Sequence, residues 1–463
     1  VAALGVGVAV AAGSYSVAEP SGHVALILLA AVAGVVLLAL AYVRFEAFLL
    51  VVLAIRASVD WTKVPSQIGE PTTSGAMTTA LALVFLGAAV LWLLVQFKAG
   101  RLVPPSLVSL AWVAFLGIAL VSALGADRRL ESLAEWGRIA TVVAMLLVLQ
   151  QILGSGLGVR RLLTACYVSA IVPLGVAGYQ AVAGGGSGPE GTARVYGTFA
   201  HPNAFGFYLV ILLVMGVALL PHVALDVRPL LLTFLWASAF AIVLTASRGS
   251  WFALIIGLVV VGTLQSPRTI LLMLGVTAVV ALTAPGTTAR LLDLRQESNV
   301  AGIEGNSLAW RFGYWGTVID LANDSPIVGI GPKMTQYVTE SAKVPHNDYL
   351  RAYVETGVLG LIAYIAVVAA LIHTARHALS WAPPGLGQGV AVGFAGCVAS
   401  FLLFSVAENL MSQVVVLWYF VAFAAAAVTV SRWHADPEKE NLGVASRHLP
   451  SPLPLRPAGD GRW

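Results

Sequence analysis

Four basic residues in this chain have the chemistry to act on an anionic substrate. His346 lies in "VPHNDYLRAYVETGVLG" (344–360), Arg194 in "GTARVYGTFAHPNAFGFYL", Arg248 in "LTASRGSWF" and Arg311 in "SLAWRFGYW". An imidazole is basic enough near neutral pH to take a proton from a hydroxyl, so His346 is a candidate general base. A guanidinium donates paired, charge-assisted hydrogen bonds to phosphate oxygens. Three arginines held together point to a polyanionic ligand such as a diphosphate. Few acids stand beside them in the sequence, so the ligand is expected to supply the neutralising charge. Each residue also has an ordinary reading. Arg248 is pinched between two apolar runs and can snorkel or form a structural ion pair. Arg194 can be a solvated loop charge, Arg311 can lie on the wet face of a helix, and His346 and His201 can be satisfied surface residues. Asn347 and Asp348 follow the histidine and are second-tier candidates for orienting it or binding substrate. Arg351 is also second-tier, being five residues on and not bound to share its face. Tyr196, Tyr314 and Trp315 are placed to stack on a substrate or, more simply, to pack. "HND" is too short to be a metal site by itself, and no Asp/Asn metal cluster is visible.

The elements that carry these residues are set by hydropathy. The chain has 463 residues, of which 59% are hydrophobic and 10% charged, with a mean hydropathy of +0.88. Soluble domains carry about 25% charged residues, so the solvent for most of this surface is lipid. The fold class expected is an all-α integral membrane protein. Runs of about 20 apolar residues, enough to span a bilayer, fall at 24–43, 78–97, 105–124, 136–154, 162–183, 203–220, 229–246, 249–265, 269–284, 354–375, 388–407 and 411–430. Two shorter runs, 1–12 and 46–56, bring the expectation to about twelve to fourteen crossings. The chain starts at Val1 without an initiator Met, so a trimmed N-terminus is expected, and no secretory cleavage pattern is recognised. Cys166 and Cys397 both sit inside apolar runs and read as buried small residues. The net charge of +4 comes with no basic run interleaved with aromatics, so no nucleic-acid partner is expected.

Lys and Arg in short loops set orientation. Placing Lys98, Arg101, Arg160, Arg161, Arg228, Arg268 and Arg376 on the cytoplasmic side makes alternate loops cytoplasmic. Arg128 and Arg129 run against this, accompanied by Asp127, Glu131 and Glu135. The four candidate residues then fall on one outer face. The organisation expected is a transmembrane bundle over 1–284, an extracytoplasmic loop over 285–353, C-terminal transmembrane helices over 354–431 and a disordered cytoplasmic tail over 432–463. Within the long loop, Leu308, Phe312, Trp315 and Ile319 recur at helical spacing, which predicts a surface-lying helix.

These residues resemble a family. "HNDYLRAYVETGVLG" is similar to the signature of the O-antigen ligase and polymerase superfamily: His-Asn, nine residues, Gly357, two residues, Gly360. "ARVYGTFAHPNAFGFYL" resembles its first periplasmic motif, "LTASRGSW" its Thr-x-Ser-Arg motif, and "RFGYWGTVIDLANDSPIVGIG" the element before its histidine. "AIRASVDW" (54–61) is similar to polymerase-type members. The resemblance implies a membrane glycosyltransferase of the GT-C-type superfold in the bacterial cytoplasmic (inner) membrane. Its donor would be a glycan on undecaprenyl diphosphate, and its acceptor a second glycan or a lipid A-core. It implies an inverting reaction without metal or other cofactor, with His346 activating the acceptor hydroxyl and Arg194, Arg248 and Arg311 holding the departing diphosphate. The polymerase reading leads on the "RASVDW" element and the large outer loop. A ligase is the alternative. A lipid-linked sugar transporter is the rival class, which would place charges near the membrane midplane and show repeat symmetry.

Overall fold

The computed structural model describes residues 21–59, 74–183, 186–187, 193–266, 308–339 and 344–433. The described chain is built of α-helices, with one antiparallel pair of two-residue strands, β1 (Gly186–Ser187) and β2 (Ala193–Arg194). The helices are α1 (Ser21–Val43), α2 (Phe45–Val59), α3 (Ser74–Lys98), α4 (Leu107–Gly125), α5 (Arg129–Ile152), α6 (Gly156–Val168) and α7 (Ile171–Val182). After the strand pair come α8 (Pro202–Leu219), α9 (Arg228–Leu244), α10 (Arg248–Gln265), α11 (Leu308–Asn323), α12 (Thr335–Val338), α13 (Asp348–Trp381), α14 (Leu386–Ala407) and α15 (Val414–Arg432).

Nine helical stretches among the described residues are long and apolar enough to cross a membrane. The protein is a multi-pass membrane protein. The expectation of twelve to fourteen crossings is tested only over the described residues, and run 24–43 is described as α1. Runs 1–12 and 269–284 lie outside the described residues, as does the tail beyond 433. Run 46–56 forms the fifteen-residue α2, and run 229–246 forms the seventeen-residue α9, just short of a full span. Run 162–183 falls on one candidate span, Gly156–Val182, made of the two helices α6 and α7. They break at Ser169, whose hydroxyl bonds the Cys166 carbonyl at 2.5 Å and the Tyr208 hydroxyl at 2.6 Å.

Helix α15 is the axis of the bundle, with 94% of its spanning window buried against 17% for α3. A helix apolar on every side is a core helix, and one that is apolar yet exposed faces lipid. Glycines on α14 let backbones approach: Gly389 abuts Leu219, Gly393 abuts Met215 and Gly396 abuts Val214, all on α8. Cys166 and Cys397 are both free and buried, as read from the sequence.

Helix α13 starts at Asp348, before the apolar run begins, because Asn347 caps it: its Oδ1 accepts the Leu350 N–H at 3.0 Å. It kinks at Gly357, where φ is 70°. A side chain there would strike the Ile327 carbonyl, since the loop 326–331 lies directly on the kink. That loop bonds to the kinked helix through Val358 N–H to Pro326 C=O at 2.8 Å, Ile330 N–H to Val354 C=O at 3.1 Å and Gly331 N–H to Glu355 C=O at 2.9 Å. The glycines of "SPIVGIG" and of "ETGVLG" thus dock the loop onto the helix, and the polar leg 348–356 stands apart from the apolar leg that follows.

Candidate active site

The starts of α8, α10 and α13 and the end of α14 meet at one end of the bundle. Each start has a side-chain cap. His201 Nδ1 accepts the Asn203 N–H at 3.1 Å, Ser247 caps α10 and Asn347 caps α13. Arg194 reaches this point from β2 and is buried. Its Nε donates to the Thr245 carbonyl at 2.8 Å, and its Nη2 donates to Asn203 Oδ1 at 2.8 Å. Asn203 passes the connection on, its Nδ2 donating to Glu408 Oε1 at 2.6 Å.

Glu408 is the hub. Beside Asn203, Arg311 Nη2 lies 3.5 Å from its Oε1, and His346 Nδ1 lies 3.0 Å from its Oε2. Arg311 Nη1 also donates to the Ala407 carbonyl at 2.6 Å. Burial would push the Glu408 carboxyl up, but the hydrogen bond and charge of His346, then the charges of Arg311 and His201, outweigh it and hold the carboxyl below its usual range. Arg248, the first residue of α10, follows the Thr245 turn that Arg194 grips, and the adjoining Gly249 abuts Phe404 on the last turn of α14. Hydrogen bonds and an ion pair therefore join Arg194, Arg311 and His346 through Asn203 and Glu408, with Arg248 at the same turn.

The expectation that acids are scarce here is corrected by Glu408. It lies 62 residues beyond His346 in sequence, so a search beside each arginine cannot find it. One signal was available: "ENL" (408–410) is the short link between the last two apolar runs, and alternation of the loops puts it on the same face as His346. Asn203 likewise stands in the quoted "HPN" but is singled out only by its contacts.

The second-tier residues serve structure. Asn347 is the α13 cap. Asp348 is fully buried and faces the turn after Glu408. Arg351 is buried, with Nε on Glu355 Oε2 at 2.9 Å, Nη2 on Glu135 Oε1 at 3.1 Å and Nη1 on the Ser412 hydroxyl. Tyr314 packs with Val318, Ala322 and Val354, and its hydroxyl meets that of Thr339. Trp315 donates its indole N–H to the Pro345 carbonyl at 2.7 Å, pinning the residue before His346 to the helix that carries Arg311. Tyr196 joins the loop to α7 through its backbone N–H, which donates to Gln180 Oε1 at 3.0 Å. Arg56 of "AIRASVDW" lies over the Trp418 ring, 5.4 Å from its centre. Among the described residues, no three His, Cys, Asp or Glu side chains are grouped to hold a metal ion.

His346 has φ of 50°, in the left-handed region that costs a residue with a Cβ energy and is sustained only by surrounding contacts. Here those contacts are the Trp315 tie and the Asn347 cap on either side. Because Glu408 stays ionised, it can only accept a proton bond, so His346 Nδ1 carries the hydrogen. In the neutral tautomer that this bond selects, Nε2 is the nitrogen that can accept a proton.

The fold and the site define a class: a polytopic membrane protein with a histidine–carboxylate pair set among arginines at one end of its bundle. A family model described as O-antigen ligase matches residues 233–365. That segment, about 29% of the chain, is what resembles the O-antigen ligase family. It contains Arg248, Arg311 and His346, while Arg194, Asn203 and Glu408 lie outside it. No curated protein matches the chain.

Proposed function

We propose that this protein is a membrane glycosyltransferase that moves a glycan from undecaprenyl diphosphate to an acceptor hydroxyl at the outer face of the bacterial cytoplasmic membrane. The product is a surface polysaccharide, and the leading reading is a polymerase. The observation that carries the proposal is the His346–Glu408 pair joined to Arg311 and, through Asn203, to Arg194.

In this reading the acceptor hydroxyl gives its proton to His346 Nε2 as its oxygen attacks the anomeric carbon. The bond from that carbon to the diphosphate oxygen breaks, and the diphosphate leaves with the electron pair. Attack from the face opposite the leaving group inverts the anomeric centre. Glu408 stabilises the imidazolium that forms. General-base help of this kind is worth about 10²–10⁴ in rate. Arg194, Arg248 and Arg311 take up the growing negative charge, as preorganised cations do best where water is scarce. The arginines do in this scheme what a metal ion does in other phosphate-leaving reactions.

The family description favours a second acceptor reading, ligation of a finished glycan onto a lipid A-core or another acceptor. One experiment separates the two. The purified protein is incubated with a polyprenyl-diphosphate oligosaccharide and chelator, with His346→Ala beside it. Lengthening of the lipid-linked glycan, lost in the variant, supports the polymerase. Product formed only on an added acceptor supports the ligase. Activity abolished by chelator and restored by Mg²⁺ or Mn²⁺ removes the metal-independent mechanism. No transfer to any acceptor, with the lipid-linked sugar instead crossing a reconstituted bilayer, removes the enzyme reading.

A further inference from the structure

Asp348 is fully buried two residues from His346. An acid at the first position of a helix ordinarily serves that helix's own free N–H groups. Here Asn347 fills that role. The Asp348 carboxylate is turned instead across the bundle to a segment 62 residues away. Its Oδ2 accepts the Leu410 N–H at 3.0 Å, and its Oδ1 accepts the Met411 N–H at 3.2 Å. The Tyr364 hydroxyl, at 3.4 Å, adds a weaker third donor.

Those two N–H groups belong to the single turn of 3₁₀-helix, Leu410–Ser412, that immediately follows Glu408 and Asn409. The far end of the turn is held as well. Arg351, on the same leg of α13 as Asp348, bonds the Ser412 hydroxyl, and Arg138 Nη2 donates to the Ser412 carbonyl at 3.0 Å. So the segment that begins with His346 grips, at both ends, the turn that begins beside Glu408. His346 stands just before α13 and Glu408 just after α14, and the 3.0 Å between them is spanned by the ties that join those two segments.

We propose that Asp348 is a positioning residue that sets Glu408 against His346. The inference rests on the glycosyl-transfer reading above and gives the "HND" block three separate duties: base, helix cap and clamp. A catalytic pair must be held within about 0.5 Å of its working geometry by such supporting bonds. In Asp348→Asn the side chain keeps one acceptor oxygen but turns an NH₂ toward a backbone donor, so the turn relaxes and Glu408 moves with it.

The test is a double-mutant cycle on single-turnover glycan transfer from a polyprenyl-diphosphate oligosaccharide, using Asp348→Asn, Glu408→Gln and the pair. Asp348→Asn is expected to lower the transfer rate about tenfold with KM within about twofold. The double variant is expected to be no slower than Glu408→Gln alone, because Asp348 acts only through Glu408. Additive losses, or a native rate in Asp348→Asn, overturn the proposal. No transfer by the native protein to any acceptor would instead overturn the transfer reading itself, a different result, and native rates in both His346→Ala and Glu408→Gln would overturn the pair that Asp348 is proposed to position. Folding is followed by thermal melting in detergent. If Asp348→Asn yields no folded protein, Ser412→Ala loosens the other end of the turn at smaller cost. It is expected to show the same non-additivity with Glu408→Gln, and additivity there overturns the proposal equally.

Discussion

Two groups of charges share the chain segment that runs from His346 into α13, and they are built differently. In the first, Arg351 is 1% exposed and its partners Glu135 and Glu355 are 2% and 5% exposed. Glu135 is also paired with Arg138 at 2.6 Å, and Glu355 accepts from the Thr335 hydroxyl at 3.1 Å. In the second, His346, Arg311 and Glu408 are 18%, 15% and 13% exposed. The first group is closed around Arg351, with two carboxylates balanced by two guanidiniums, and only Arg138 reaches outward. The second is open, its one carboxylate shared among a histidine, an arginine and an amide that leads to a further arginine. Buried charge that is fully paired fixes structure. Charge that is excess, partly exposed and of one sign marks a binding path. Arg351 and His346 are five residues apart on one chain segment, so proximity in sequence says nothing of which group a residue joins.

The contrast is broken if variants in the two groups behave alike. The largest effect expected is from His346→Ala, which should lower glycan transfer about 10³-fold, or about 4 kcal/mol in the barrier, with a native melting temperature. Loss of melting temperature with an unchanged rate would move His346 to the closed group. Next is Glu135→Gln, which should destabilise the fold by about 3 kcal/mol by leaving a buried cation underpaired. The transfer rate per folded molecule should stay within about threefold of native, as read by melting in detergent and by single-turnover assay. Gly357→Ala should cost about 2 kcal/mol, since the position has a left-handed φ and a Cβ there meets the Ile327 carbonyl. Melting would detect this, and a neutral result would show that the 326–331 loop yields freely.

The smallest effect concerns pH. The folded Glu408 carboxyl is held below its unfolded range, so it binds protons less readily folded than unfolded. Its contribution to stability is therefore present above the ordinary glutamate value, about 4.3, and is lost as pH falls through the lowered folded value. Melting measured from neutral pH downward should show a shallower acid limb in Glu408→Gln than in the native chain.

Hydropathy made most of the fold legible, because a helix that must satisfy its backbone in lipid writes a long apolar run. It failed where length and apolarity part company. Helix α2 is short and carries Glu46 and Arg56, and the break at Ser169 falls four residues before Pro173, which has no N–H to bond the Ser169 carbonyl and which hydropathy does not weigh. The grouping of Arg194, Arg248, Arg311 and His346 on one face was legible from loop alternation. Glu408 was not singled out, since a single acid in a three-residue link resembles any polar turn until its partners are seen. The roles of Asn347, Asp348 and Arg351 were also hidden. All three are polar and adjacent to the histidine, and only their side-chain directions separate a cap, a clamp and a buried ion pair.

The most direct measurement of the account is the single-turnover rate of glycan transfer in Glu408→Gln, compared with native protein of equal melting temperature at neutral pH. Glutamine keeps the shape and loses the charge that holds His346 Nδ1 and stabilises its imidazolium. The account predicts a rate about 10² lower with KM little changed. A native rate would contradict it, and would reduce the His346–Glu408 pair to a structural contact.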